Sequence, residues 1–170
     1  MTAIFSPDRK YRYRLDREIQ PEGIVAAIIM VNGSDAAEEK NDPTITKVIG
    51  FGKKLGWRRG IVGNLFGAVS TDIKGLRTFS DPIGPDNDRH LAEIIDAADI
   101  TVVGWGALAK LPEVLRKRWI DVIRMLDERN RKPFCLGVND DGHPKHPLMT
   151  GYDVPLTAWN APWFPNRRKH

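Results

Sequence analysis

Ile24-Val25-Ala26-Ala27-Ile28-Ile29-Met30-Val31 is an unbroken apolar run closed by Asn32-Gly33-Ser34. A strand with one face in water alternates apolar and polar side chains, so a run like this predicts a central strand covered by helices on both faces. It is far too short to cross a bilayer, which needs about 20 such residues. Upstream, Tyr11, Tyr13 and Leu15 alternate with Arg12, Arg14 and Asp16, the period of a half-exposed strand, expected at the sheet edge. Downstream, Asp42 stands as an N-cap and Pro43 at the first helical position; Ile45, Val48, Ile49 and Leu55 share one face before Gly56 stops the helix.

The same alternation continues. Ile61 to Phe66 reads as a second buried strand, and a polar loop containing Pro82, Gly84 and Pro85 leads to a helix that starts at Asp86 or Asn87. Ile100 to Val103 is a third strand, ending in Gly104-Trp105-Gly106. A helix from about Pro112 carries Leu115, Trp119, Val122 and Leu126 inward and turns Arg116, Lys117 and Arg118 outward; Phe134 to Val138 is the fourth strand. Strands alternating with amphipathic helices predict right-handed crossovers. The expected fold is α/β, a three-layer α/β/α sandwich around a mainly parallel four-stranded sheet with an N-terminal edge strand. One domain spans residues 1–165, and residues 166–170 form a basic tail.

Composition excludes several classes. Of 170 residues, 41% are hydrophobic and 28% charged, so neither disorder nor a membrane class is indicated. Without a signal-peptide pattern at the N-terminus, a cytoplasmic location is expected, with no membrane partner. The single cysteine, Cys135, excludes an internal disulfide and a cysteine-based zinc site, and its apolar neighbours predict a buried thiol. A net charge of +4 suits a polyanionic partner without demanding one.

Five strings are informative in their order: Asp42-Pro43-Thr44-Ile45, Asn64-Leu65-Phe66, Asp81-Pro82-Ile83-Gly84-Pro85-Asp86-Asn87-Asp88, Trp105-Gly106 and Pro144-Lys145-His146-Pro147-Leu148. From about Tyr11 to Trp159 the chain resembles a bacterial and phage family known as domain of unknown function 1643. That family usually has Asn-Pro-Ser after the first strand, and Gly33 takes the place of the proline here. More distantly, Asn32, Asn64 and His146-Pro147 fall at strand exits in the order seen in the uracil-DNA glycosylase superfamily, which the chain resembles in its βα alternation.

That second resemblance implies chemistry. Breaking an N-glycosidic bond places negative charge on the departing base, so the site needs a positioned water and a donor aimed at the base oxygen. Asn32 would orient the water and His146 would donate; the plainer alternatives are a strand-end cap and a histidine held in a proline turn. Gly33, Ser34, Asn64, Phe66, Trp105, His143 and Lys145 complete the candidate substrate-binding set. Asn64 reads equally as a buried amide pinning two strand exits, and Phe66 and Trp105 as either base-stacking rings or core. Gly33 can restore a backbone donor and take positive φ, making Asn32 to Asp35 an anion-binding turn, or it can loosen the loop. No metal or other cofactor is expected, since His143 and His146 lack an obvious third ligand.

Two functions follow. One is a nucleobase- or nucleotide-handling hydrolase of the N-glycosylase type, with DNA, a nucleotide or a nucleoside as substrate. The alternative is a non-catalytic nucleic-acid or modified-nucleotide binding module on the same fold. Small-molecule metabolism is favoured over both if the rim of the sheet is neutral or acidic.

Overall fold

The computed structural model describes residues 1–34 and 40–161. Its apolar run is β3 (Ile24–Gly33), the middle of a seven-stranded sheet. The strand order is β1 (Thr2–Phe5), β2 (Arg12–Glu18), β4 (Trp57–Val69), β3, β5 (Ile100–Val103), β6 (Pro133–Cys135), β7 (Thr157–Ala158). β3 runs parallel to β4 and β5, and β5 parallel to β6. The pairs β1–β2, β2–β4 and β6–β7 are antiparallel. The fold is α/β, with a mixed sheet of seven strands in place of the expected mainly parallel four with one edge strand. Thr2–Phe5 and Thr157–Ala158 are too short to display a period, which hid both from the sequence.

β3 is apolar throughout because both its faces are covered. Ala26, Ile28 and Met30 pack with Ile45, Val48 and Phe51 of α1 (Pro43–Leu55). Ile29 and Val31 pack with Leu91 and Ile95 of α2 (Asn87–Ala97), and with Val122, Ile123 and Leu126 of α3 (Trp119–Glu128). Burying each such side chain stabilises the fold by about 1.5–3 kcal/mol. α1 has the expected ends: the Asp42 carboxylate accepts the Ile45 N–H at 2.7 Å, and Gly56 stops the helix at φ 77°. Cys135 is buried.

Four expectations about elements are corrected. β2 is interior, because β1 pairs with its outer side; Arg12 and Arg17 are buried, and half-buried Arg14 donates through Nε to Asp16 at 2.7 Å. β4 is much longer than Ile61 to Phe66 and runs on through Gly60 and Gly67, which are points of close approach: a Cβ on Gly67 would stand 2.8 Å from Ile83 O. β6 stops at Cys135 rather than Val138. α3 begins at Trp119, preceded by a 3-10 turn over Glu113–Leu115, and this change of winding carries Arg118 into the protein, where it is 6% exposed.

Candidate functional site

The strand exits meet through backbone contacts. Ser70 N, just past β4, donates to Gly33 O at 3.0 Å, and Gly106 N, past β5, donates to Pro144 O at 3.0 Å. Gly104 and Gly106 leave room for the loop after β6: a Cβ on Gly104 would meet Pro147 Cδ at 3.0 Å, and one on Gly106 would meet His146 Cβ at 3.4 Å. The 3-10 turn Pro147–Met149 in that loop packs against α1.

His146 caps this turn. Its Nδ1 accepts the Leu148 N–H at 3.2 Å, so a neutral ring carries its proton on Nε2. Burial pulls the imidazole below its ordinary pKa, partly opposed by the negative charge of Asp42. Asp42 in turn accepts from Ser34 Oγ at 2.6 Å while capping α1. Ser34 thus bonds the carboxylate directly, whereas His146 feels only its charge.

Asn32 lies at the same strand exit but turns its amide N–H groups to Ser70 O at 2.6 Å and Gly33 O at 3.3 Å. Gly33 is the last residue of β3, paired with Val69, and it is not among the glycines with positive φ. The expected left-handed, anion-binding turn is therefore not what Gly33 supplies; Asp35, the end of that turn, lies outside the described residues. What Gly33 does supply is space, since a Cβ there would be 3.4 Å from Arg12 Nε.

The other candidates divide. Asn64 is buried, with its carbonyl O accepting from Asn87 Nδ2 at 3.0 Å and its Oδ1 without a partner. Phe66 and Trp105 are core residues, 0% and 1% exposed, so neither ring presents a face on which a base can stack. Trp105 Nε1 donates to His143 Nδ1 at 3.3 Å, and His143 meets Trp119 edge-on at 5.2 Å. Burial lowers the His143 pKa as well. Trp159 closes the cluster, its Nε1 donating to Gly142 O at 2.9 Å. Lys145 is half-buried and holds the loop through its N–H to Gly137 O at 2.9 Å. Trp163 and the basic tail lie outside the described residues. Among the described residues no group of three or more His, Cys, Asp or Glu is placed to hold a metal.

Two arginines at this rim were not singled out by the sequence. Arg12 donates to Ser34 O at 3.1 Å, and Arg17, 1% exposed, donates to Asn41 Oδ1 at 2.7 Å. Burial lowers the Arg17 pKa, with Asp42 and Asp16 opposing it. Arg12 falls on the polar side of the alternation and so reads as solvent-facing, because period alone does not separate water from a buried partner.

These features define a class: an α/β protein whose polar centre lies where β3 and β4 end and the histidine loop folds back. The chain belongs to the family described as Protein of unknown function (DUF1643), whose model matches residues 12–148. No curated protein and no solved structure matches it. No helix among the described residues is long and apolar enough to cross a membrane.

Proposed function

We propose that the chain recognises a nucleobase in DNA, a nucleotide or a nucleoside, and hydrolyses its N-glycosidic bond. The observation that carries this reading is His146: a ring kept neutral by burial, its Nδ1 tied to the Leu148 N–H and its Nε2–H left as a fixed donor. A departing base gains negative charge on its carbonyl oxygen, and a preoriented N–H donor stabilises that charge without reorganising as it develops. Asn32 Oδ1, with its amide N–H groups already used on backbone carbonyls, is an acceptor for the attacking water or for a base N–H. Water adds to the sugar carbon as the carbon–nitrogen bond breaks, and its proton passes to solvent or to the base. The ground in sequence for this chemistry is the order of Asn32, Asn64 and His146-Pro147 at the strand exits, which resembles that of the uracil-DNA glycosylase superfamily.

The test is to incubate the protein with single-stranded and duplex DNA containing uracil or modified bases, and with the matching nucleosides, then measure abasic sites or free base. Release of base that falls by roughly a hundredfold in His146→Ala, as general acid–base contributions do, bears the proposal out. Background release equal in wild type and variants rejects it for those substrates. Salt-dependent DNA binding that survives Asn32→Ala without base release would favour the binding module.

A further inference from the structure

The 3-10 turn that His146 caps packs against α1 and leads on to Tyr152. Met149 and Tyr152 are both exposed, Met149 at 78%. The Tyr152 ring is seated on α1, 5.0 Å from Phe51 and over Gly50, where a Cβ would overlap the phenol. One side of α1 and the segment after His146 therefore form a continuous surface, anchored at the ring and open to solvent.

α1 gives this surface charge of one sign. From Pro43 to Leu55 it carries Lys47, Lys53 and Lys54 and no carboxylate. The Lys47 ammonium lies 4.1 Å from the centre of the Tyr152 ring, and the Lys54 ammonium donates to the Tyr152 carbonyl. Both partners are uncharged, so they orient the two cations without neutralising them. Among the described residues none of the three lysines forms an ion pair, whereas Arg59, Arg89 and Arg129 each do. Asp153 is the carboxylate of the segment from Pro147 to Pro155. Lys53 and Lys54 also suit the carbonyl end of the helix; Lys47, nearer its middle, has no such reason.

We propose that this surface carries a single strand of nucleic acid past His146, with phosphates along Lys47, Lys53 and Lys54 and bases over Met149 and Tyr152. Lys47 and Lys54 are seven residues apart, two turns or about 10 Å along α1, so the pair meets separate phosphates of a chain rather than one. A duplex hides its bases in the stack, whereas a single strand can lay them on apolar surface beside a row of cations. This surface deepens the proposed function and rests on it for one point alone, that the strand is delivered to His146; the binding uses none of that site's side chains.

Fluorescence anisotropy of a labelled oligothymidylate with the full chain tests it. Binding should saturate, and log affinity should fall against log salt with a slope of about −2, since each of three phosphates contributes about 0.7. Lys47→Gln/Lys53→Gln/Lys54→Gln should weaken binding at low salt by at least about tenfold and flatten the slope, while Lys47→Arg/Lys53→Arg/Lys54→Arg should retain it. Gln has nearly the helix propensity of Lys, so the thermal midpoint should stay close to wild type. Lys110→Gln/Lys117→Gln/Lys132→Gln, which removes the same charge from exposed positions elsewhere, should change affinity by less than about threefold. His146→Ala should bind as wild type does. Lysine-dependent binding without base release bears this proposal out and leaves the chemistry at His146 at fault. Absence of saturable binding overturns it, as do equal losses in the two glutamine variants, tighter binding of the duplex formed with the complementary strand, or loss of binding in His146→Ala with the α1 glutamine variant unaffected.

Discussion

Arg118→Ala should destabilise the fold by about 3 kcal/mol. The guanidinium donates through Nε to Leu65 O at 3.0 Å and engages Asp121 at 3.3 Å and Asp88 on α2. It is only 6% exposed, and so connects β4, α2 and the start of α3 from inside. Losing the buried bond to Leu65 O costs about 1–1.5 kcal/mol. The effect is softened because Asn87 Nδ2 still reaches that oxygen at 3.2 Å. Each ion pair contributes at most about 1 kcal/mol, since the Asp88 and Asp121 side chains are 59% and 51% exposed and solvent screens them. The aliphatic stem adds about 1 kcal/mol of packing. For a domain of this size the total corresponds to a fall of about 6–12 °C in thermal midpoint, measurable by calorimetry. Arg118→Met keeps the stem and should recover about a third of the loss. A shift of less than about 2 °C for Arg118→Ala would refute the account of Arg118 as an internal connector.

Further outcomes follow from the same contacts. Asp42→Ala removes the α1 cap and the Ser34 bond and should cost about 1–2 kcal/mol by denaturant midpoint. Asp42→Asn should keep most of that stability, because Asn also caps, yet lower the His146 pKa further by NMR titration; an unmoved pKa would show that Asp42 does not act on the ring. His90, His143 and His146 all sit below the ordinary value of 6.5 through burial. The unfolded chain therefore takes up protons first, and the stability these rings contribute is complete above pH 6.5 and declines as pH falls through it. The thermal midpoint should drop between pH 7 and pH 5 with a shallower slope in His90→Gln/His143→Gln, and equal slopes would remove the histidines from the explanation. Gly33→Ala should fold within about 1 kcal/mol of wild type, because the position lacks positive φ and the added Cβ makes ordinary contact with Arg12. A loss above about 2 kcal/mol would mean that the glycine is required for its backbone.

What could be read in the chain was what is decided locally or by burial on both faces. Asp42, Pro43 and Gly56 define α1 through contacts within a few residues, and β3 is apolar because it touches helices on either side. β2 is the counter-case: its alternating arginines are the pattern of a wet face, yet Arg12 is nearly inaccessible and bonded to the Ser34 carbonyl, 22 positions away. An arginine facing water and one facing a distant partner look alike in sequence, since the partner's position is a property of the fold. The histidine loop divides on the same line. The His146–Leu148 bond spans two residues and follows from the His-Pro-Leu turn, so the ring's tautomer was within reach of sequence. The charge that acts on that ring comes from Asp42, whose capping of α1 gave no sign that it also faces the loop after β6. One carboxylate therefore caps the helix start and adds its charge at the imidazole, so a change of Asp42 aimed at α1 should also register in the titration of His146.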